Sequence, residues 1–371
     1  MPAGDLTDWY DRPSLVGQSY QLDNQCEGNT PMKPLNVLVT GANGFVGSHI
    51  LEALMQHDGV TPIAACRDRR KLIPAFHGEV REGDLRDKDY LGSLLDGIDV
   101  VCHAAAWTSA WSYTSESERL FLRPTQSFID QALKSGVSRF IFLSSTSVAA
   151  PYASSDPMSQ ADERRLKLWP HMRNVARIEH YMRDRAERGC TMISLRTGLF
   201  AGRRYGIGLL SLLVPRLKTH LVPWVKGGTT GMPIIAGEDI GASFALAATA
   251  ADLDGYQGFN IIGPSVPTAR EVISFLNEAY RLPKPHFGVP FAIAYPFARS
   301  MELLDPVVPW EPLVTRSIIH LLEETGATNA RAAELLGYRP KVHWKDAVRM
   351  QMDEMATRQK TPMKMYKPIT P

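Results

Sequence analysis

The sequence predicts an α/β protein built on a doubly wound parallel sheet, followed by a smaller C-terminal lobe. Two observations support the sheet. Apolar runs alternate with amphipathic helical segments from Leu35 to Arg196, as strands and crossover helices do in a parallel sheet. The first apolar run also ends in a turn with glycines at a spacing of three, Gly41, Gly44 and Gly47, directly before a helical pattern. This arrangement is typical of a strand, a tight turn and a helix.

The composition is that of a soluble globular protein. The 371 residues are 44% hydrophobic and 22% charged, with a formal net charge of +2. This balance gives no general reason to expect nucleic acid or an anionic membrane as a partner. No run approaches the roughly 20 apolar residues of a membrane span, and no secretory leader pattern is present. The nearest candidate for such a span, residues 290–298, is short and broken by proline. It suits either a pocket wall or a membrane-surface patch, and we favour the wall.

The cysteines indicate a reducing compartment and no metal site. The four cysteines lie far apart, without the spacing of a zinc site: Cys26, Cys66, Cys102 and Cys190. Three of them sit in or beside apolar strand-like runs, where reduced and buried thiols are expected. We therefore expect a cytoplasmic protein.

The order of the elements follows from these patterns. Apolar runs predict strands, and helical periodicity predicts helices between them; the principal strands fall at residues 35–40, 62–67, 79–87, 98–106, 139–148 and 191–196, and the clearest helices at 126–134 and 173–188. The alternation ends near residue 200, where prolines and aromatic residues become frequent. We expect an arm over residues 1–34, a dinucleotide-binding domain over 35–200 to which later segments can return, a substrate-binding lobe over 201–350 and a flexible tail over 351–371.

The glycine turn predicts a nucleotide site of the Rossmann type. In such a turn, one glycine bends the chain, one lets the backbone approach a pyrophosphate, and one lets the helix pack against the strand. The N-terminus of the helix offers free N–H groups to the phosphates. The second strand of the fold ends in an acidic residue for NAD or an arginine for the 2′-phosphate of NADP. Since Arg67 is the first polar residue there, we expect NADP rather than NAD.

Five motifs in order resemble the extended short-chain dehydrogenase/reductases, the NAD(P)-dependent epimerases, dehydratases and 3β-hydroxysteroid dehydrogenase-like enzymes. The motifs are the glycine turn after Thr40, Gly83-Asp84-Leu85-Arg86-Asp87, His103-Ala104-Ala105-Ala106, Ser144-Ser145-x-x-Val148 and Leu195-Arg196-Thr197-Gly198. The resemblance implies that Ser145 orients the substrate. It also implies cofactor contacts at the turn, at the adenine and at the middle of the cofactor, by Gly41, Asn43, Gly44, Phe45, Val46, Asp84, Leu85, Ala104, Ala105 and Ala106.

The sequence departs from this family at its proton donor. The family has a tyrosine with a lysine four residues later, and the aligned positions here are His171 and Val175. His171 is one candidate donor, because an imidazole titrates near neutral pH. Tyr152, seven residues after Ser145, is the other. Arg173 or Arg177 can replace the lysine's charge.

These features predict an NADP-dependent oxidoreductase acting on a hydrophobic alcohol or ketone. The aromatic residues proposed to line an apolar pocket are Trp107, Trp111, Phe200, Trp224 and Phe291. Three alternatives stay open: a non-redox isomerase, cyclase or lyase, a nucleotide-sugar epimerase or dehydratase, and an NADPH-binding regulatory protein. The expected partner is an apolar small molecule, without nucleic acid or a transmembrane segment, and the resemblance suggests a homodimer.

Overall fold

A seven-stranded parallel sheet forms the centre of the computed structural model, which describes residues 34–108, 113–149, 155–186, 189–304 and 315–360. The strands are β1 (Leu35–Thr40), β2 (Val60–Cys66), β3 (Val80–Glu82), β4 (Val100–His103), β5 (Arg139–Ser145), β6 (Thr191–Thr197) and β10 (Tyr256–Ile261). Their order across the sheet is β10-β6-β5-β4-β1-β2-β3. The chain direction across the sheet reverses between β1 and β4, which is the usual ligand-binding crevice of this topology.

Two further two-stranded parallel sheets lie later in the chain. One pairs β7 (Leu199–Ala201) with β9 (Ile234–Ala236), and the other pairs β8 (Trp224–Val225) with β11 (Gly288–Val289). The helices are α1 (Phe45–Leu54), α2 (Lys88–Leu94), α3 (Thr114–Ser117), α4 (Arg123–Lys134), α5 (Pro170–Arg183), α6 (Leu209–Leu217), α7 (Gly237–Thr249), α8 (Ala269–Tyr280), α9 (Phe291–Leu304), α10 (Arg316–Leu321), α11 (Ala330–Leu335) and α12 (Trp344–Lys360). In the part of the chain that the structure describes, none of them could cross a bilayer.

The main sheet separates two apolar cores. Leu38 of β1 packs in the cluster that includes Phe128 of α4 and Ile178 of α5, whereas Val37 and Val39 pack in a cluster with residues of α1 and α7. Alternate side chains of a strand point to opposite faces, so a strand covered on both sides is apolar throughout. The predicted doubly wound α/β fold is confirmed, and β10 is the later segment that returns to the sheet.

Most element boundaries differ from the sequence analysis by a few residues, and the strands expected over 79–87, 98–106 and 139–148 are shorter, at Val80–Glu82, Val100–His103 and Arg139–Ser145. Two further differences concern α5 and α12. The helix expected from residue 173 begins at Pro170, because a proline is preorganised for the first helical position. His171 therefore lies in the first turn of α5. The flexible tail was expected to begin at residue 351, but α12 continues to Lys360. Gln351 and Met352 are buried, and this contact with the C-terminal core stabilises the helix.

A buried ion pair joins β6 to α5. Arg196 donates through Nε and Nη2 to the two carboxylate oxygens of Glu179, over 2.9 and 2.6 Å, and both side chains are 2% exposed. Ser144 Oγ donates to the same carboxylate over 2.6 Å, and Arg196 also donates to the carbonyl oxygen of Ser159. The pair thus fixes the end of β5 against α5 and β6.

We expect Glu179→Gln to destabilise the fold by about 3–5 kcal/mol, because it leaves the Arg196 charge buried without its counter-charge. Urea unfolding of the variant and the wild type measures the difference. Glu79→Gln is the matched control, since Glu79 pairs with Arg81 at a site where its side chain is 55% exposed. Equal stability losses in the two variants would contradict the role assigned to the buried pair.

Candidate active site

The glycine turn brings three backbone segments into direct contact. Gly41 has a φ of +66°, and a Cβ there would lie 2.8 Å from the Cα of Ala105. A Cβ on Gly47 would lie 2.2 Å from the carbonyl oxygen of Gly41. Larger residues at these two positions would therefore push α1 and the end of β4 away from the turn. Both glycines are required by packing as well as by any ligand.

Gly44 is different, because the fold itself does not demand a glycine there. Its φ is −87°, and a Cβ would meet only the Gly41 carbonyl oxygen, at 3.2 Å. Gly44 is the N-cap of α1, with no side-chain cap and no acidic residue in the first turn. The first N–H groups of a helix lack intrahelical partners and attract anions. Phe45 and Val46 follow in this turn, and the Phe45 ring lies 4.5 Å from that of Tyr205.

The end of β2 adjoins the turn. Asn43 Nδ2 donates to the carbonyl oxygen of Asp68 over 3.1 Å. The Asp68 carboxylate caps residues 69–71 and pairs with Arg70, whose hydrogen bonds lower the pKa of Asp68 to about 2. Arg67 is exposed and is in no ion pair with another described residue. Asp68, the acidic residue near the end of β2, is thus paired with Arg70, whereas Arg67 has no ionic partner among the described residues.

Asp84 and Leu85 follow β3, beside the end of β2. Arg86 donates to the Asp84 carboxylate from its backbone N–H over 2.9 Å and from Nη2 over 2.6 Å. These hydrogen bonds, with a smaller contribution from the Arg67 charge, lower the pKa of Asp84. The carboxylate is therefore ionised and can still accept further hydrogen bonds. Leu85 is half-buried against the apolar cluster that contains Phe128.

The alanines after β4 are held by two residues that the sequence analysis did not single out. Thr40 and His103 face each other across β1 and β4. Thr40 Oγ1 is hydrogen-bonded to His103 Nδ1 over 2.8 Å and accepts from the Ala105 N–H over 3.4 Å. Burial lowers the pKa of His103 to about 3, so the ring is a neutral, structural group. Ala104 and Ala105 are half-buried, and Ala106 is exposed. The pairing of β1 with β4, which places Thr40 opposite His103, is the feature from which this contact could have been predicted.

Ser145 ends β5 at the carboxyl edge of the sheet. It is half-buried, and its Oγ accepts from the Ser147 N–H over 3.2 Å. This bond leaves the hydroxyl hydrogen available to donate to a ligand. The position and the hydrogen bonding therefore suit the predicted role in orienting a substrate oxygen.

His171 is enclosed by apolar side chains. The ring is 4.9 Å from that of Phe121, and its Nδ1 is buried with no hydrogen-bond partner in the structure. Burial lowers the pKa of His171 to about 4, so the imidazole is neutral at pH 7. Among the described residues no hydrogen bond joins it to Ser145. Tyr152, the other predicted donor, lies outside the described residues.

The lysine position of the family is apolar here. Val175 is buried in the same cluster as Phe121. Arg173 pairs with Glu163 over 3.6 Å, and Arg177 pairs with Glu118 over 2.9 Å. Both arginines thus have acidic partners, and their charges are balanced away from Val175.

A cavity of about 480 Å³ lies among the elements of the C-terminal part of the chain. Its walls come from β7, α6, β8, α8, β11, α9 and α10, and Arg216 is its one charged lining residue among those the structure describes. Arg216 Nη1 donates to the carbonyl oxygen of Leu212 over 2.8 Å. Volumes of this size accept drug-sized apolar molecules. Of the aromatic residues predicted to line a pocket, Trp224 does so here, while Trp107, Phe200 and Phe291 do not, and Trp111 lies outside the described residues.

Two connections join this cavity to the segment that contains Ser145. Ile319 and Leu321 of α10 line the cavity, while His320 of the same helix donates through Nε2 to the Ser147 carbonyl oxygen over 3.1 Å. On the other side, Leu199 lines the cavity, and Thr197 donates to the carbonyl oxygen of Ser144 over 2.8 Å. The cavity and the carboxyl edge of the sheet are therefore neighbours.

The buried His171 should make the fold sensitive to acid. Its pKa is about 4 in the folded chain and about 6.5 in an unfolded one. Between these values only the unfolded chain binds the proton, so stability falls as the pH falls from 7 to 5, by about 2 kcal/mol for this group. We expect His171→Leu to reduce the difference between the unfolding free energies at pH 7 and pH 5 by about that amount, with the His103 contribution unchanged. An unaltered difference in urea unfolding would show that His171 is not buried in its neutral form.

Comparison with known proteins agrees with the motifs. The profile of the NAD dependent epimerase/dehydratase family matches residues 37–261. The 3 beta-hydroxysteroid dehydrogenase/Delta 5-->4-isomerase of Mycobacterium tuberculosis is 32% identical over 120 residues, which are 30% of this chain and 32% of that enzyme, about a third of its length. The 4-hydroxy-2-methyl-3-oxo-4-farnesyl-3,4-dihydroquinoline-1-oxide ketoreductase of Stigmatella aurantiaca is 23% identical over 323 residues, or 83% of this chain and 93% of that enzyme.

Solved structures share the fold. The crystal structure of gox2253 has a TM-score of 0.70 at 21% identity, covering 89% of this chain and 99% of that one. The UDP-glucuronic acid 4-epimerase from Bacillus cereus, in complex with UDP-glucuronic acid and NAD, has a TM-score of 0.64 at 21% identity, covering 87% and 99%. Because the family profile spans more than half of the sequence and the parallel sheet agrees with it, this chain belongs to the NAD dependent epimerase/dehydratase family.

Proposed function

We propose that this protein is an NADP-dependent oxidoreductase acting on an apolar alcohol or ketone. The observation that carries the proposal is the cavity of about 480 Å³ next to the Ser145 edge of the sheet, whose lining is apolar except for Arg216, Thr219 and Thr230. It lies in the part of the chain that we assign to a substrate lobe. The relatives whose names specify a steroid and a farnesylated quinoline oxide support a substrate of this chemistry.

The residues at the glycine turn fit a dinucleotide. The uncapped start of α1 suits the phosphates, and the ionised Asp84 suits the adenine amino group. We assign cofactor contacts to Gly41, Asn43, Gly44, Phe45, Val46, Arg67, Asp84, Leu85, Ala104, Ala105 and Ala106. When bound, the nicotinamide supplies or accepts the hydride. The exposed Arg67 beside an occupied Asp68 favours NADP over NAD, because an arginine complements a 2′-phosphate.

On the protein side, Ser145 donates a hydrogen bond to the substrate oxygen. The proton must come from another group, and His171 and Tyr152 are the two candidates. The low pKa of His171 makes it a weak base, and its charged form is scarce at neutral pH. A proton relay through His171 would therefore be slow, and Tyr152 is the stronger candidate on chemical grounds.

A specific observation also favours a second candidate, a non-redox isomerase, cyclase or lyase on the same scaffold. Val175 is buried among apolar side chains, and Arg173 and Arg177 are paired with acidic residues. The charge that the family lysine supplies is therefore not replaced by these arginines. A nucleotide-sugar substrate is less well supported, since Arg216 alone in the described cavity wall would face a diphosphate, which favours several cationic groups. Such a non-redox enzyme forms product with no net change in nicotinamide absorbance.

The proposal includes a cytoplasmic location and a homodimer. Cys66, Cys102 and Cys190 are buried free thiols, as expected in a reducing compartment. The resemblance to this family suggests pairing through two helices of each subunit, and the helices α4 and α5 lie side by side here. Asp130 joins them by accepting from Tyr181 and Arg185.

Gly44→Ala tests the nucleotide site separately from the fold. We expect the dissociation constant for NADPH to rise about tenfold or more, because the methyl group occupies the space where the pyrophosphate approaches. The unfolding free energy should change by less than about 1 kcal/mol, since the φ of Gly44 suits alanine. Gly92→Ala, at an exposed helical position with open space around it, should leave NADPH binding unchanged. Calorimetric titration that shows equal affinities in all three proteins would refute the assignment.

A homologous series of linear methyl ketones tests the substrate class. We expect kcat/KM to rise about fourfold per added methylene until the cavity is filled, because each buried methylene contributes about 0.8 kcal/mol. Leu213→Asp, within the cavity wall, should flatten this dependence, whereas Leu335→Asp, at an exposed site outside it, should not. Ser145→Ala should lower kcat about 10²-fold, and NADPH should support a higher rate than NADH.

Three outcomes of that assay separate the candidates. A dependence on chain length together with loss of activity in Tyr152→Phe supports a reductase that uses the tyrosine. Loss of activity in His171→Gln with Tyr152→Phe still active supports a relay through the imidazole. No hydride transfer to any ketone, with intact NADPH binding, would reject the oxidoreductase proposal and leave the non-redox enzyme.

A further inference from the structure

The mouth of the apolar cavity is exposed to solvent through large apolar side chains. Leu221, Phe287, Ile293 and Phe297 are 61%, 48%, 59% and 53% exposed, and all four line the cavity. Eleven large hydrophobic residues in the described part of the chain are exposed, so more than a third of them lie around one opening. Isolated exposed apolar residues are ordinary, but a contiguous group of them marks an interaction surface.

These four side chains belong to one continuous surface, which we call the cavity rim. Trp224 N–H donates to the Phe287 carbonyl oxygen over 2.8 Å, which fixes β8 beside β11. His220 and His286, which precede Leu221 and Phe287, are hydrogen-bonded over 3.2 Å. The helix α9 begins two residues after β11 and contributes the other two rim residues.

The helix α9 is apolar on its outer side as well as its inner side. Ala294 and Ala298 are buried, whereas Ile293 and Phe297, one turn apart, are exposed. A surface helix of a water-facing protein normally carries polar residues on its outer face. An outward apolar face beside a cavity opening is instead suited to a lipid surface, where apolar side chains enter the boundary between headgroups and acyl chains.

The two segments that carry the rim contain only basic charges. Residues 216–226 and 281–300 contain arginine, lysine and histidine but no aspartate or glutamate. Lys218, Lys226, Lys284 and Arg299 in these segments are exposed. The net charge of +2 for the whole chain conceals this local excess. Glu302 at the end of α9 is paired with Arg316, Glu323 accepts a hydrogen bond from Tyr295, and both carboxylate side chains are 11% exposed. Basic groups next to an apolar surface attract anionic phospholipid headgroups.

We propose that the cavity rim docks on the surface of a bilayer that contains anionic phospholipid. The rim side chains insert among the lipids, the basic residues contact the headgroups, and an apolar substrate passes between the bilayer and the cavity without entering water. The passage of substrate rests on the function proposed above, whereas the docking itself does not.

Flotation of the purified full-length protein with vesicles tests the docking. We expect binding to vesicles of phosphatidylcholine mixed with phosphatidylglycerol, weaker binding to phosphatidylcholine alone, and a loss of the difference at high salt. The double variant I293S/F297S should bind more than about tenfold more weakly to both kinds of vesicle. The double variant K218E/K284E should lose the preference for the anionic vesicles. Ile207→Ser and Lys88→Glu, at exposed sites away from the cavity, are the matched controls and should bind like the wild type.

Several results would overturn the proposal. The first is no flotation with either kind of vesicle, and the second is an equal loss of vesicle binding in the control variants. The third is a dimer in analytical ultracentrifugation that I293S/F297S converts to a monomer, since the rim would then be covered by a second copy of the chain. The proposed function is tested separately, by measuring the reduction of short, water-soluble ketones in the absence of vesicles. K218E/K284E should retain that activity, so failed docking with intact ketone reduction rejects the docking alone.

Discussion

The arrangement of the site depends on the buried contact between Glu179 and Arg196. Two opposite charges can be removed from water at this depth only when nearly all of their hydrogen-bonding capacity is used, and here Ser144 and the Ser159 carbonyl complete the bonding. The contact thereby joins the end of β5, the middle of α5 and the end of β6. Ser145 follows Ser144 directly, and His171 lies in the first turn of α5, so this buried contact helps to position the elements that carry both candidate groups.

The sequence was informative where the structural requirement is local. The glycine turn was predictable because a side chain at Gly41 or Gly47 would clash with backbone atoms of neighbouring segments, so the sequence must have glycine there. The central strands were predictable because an apolar run without alternation indicates a strand that is covered on both faces. The start of α5 was missed because the pattern of apolar residues begins later than the proline that initiates the helix. The cavity was not predictable: residues that line an empty space are the same types as those that fill a core, and its walls come from segments about 120 positions apart. Nor could periodicity show that His320 reaches Ser147.

The substitutions around the family's proton-donor position form a consistent set. His171 is neutral because it is buried beside Phe121, and a lysine at position 175, in the apolar cluster that contains Phe121, would be strongly desolvated. Arg173 and Arg177 keep their charges beside carboxylates near the surface of α5.

An apolar cavity and a polar sheet edge make different contributions to selecting a substrate. Burial of apolar surface is not directional, so the cavity can discriminate by size and length but cannot determine which carbon lies at the reaction centre. That choice requires a hydrogen bond of fixed direction, and the Ser145 hydroxyl is held in place by the Ser147 N–H. Because α10 touches both the cavity and the Ser147 carbonyl, a substrate of the proposed kind that fills the cavity would contact the helix that is hydrogen-bonded to the serine segment. Binding of the apolar body and placement of the reacting oxygen are then coupled through a single short helix.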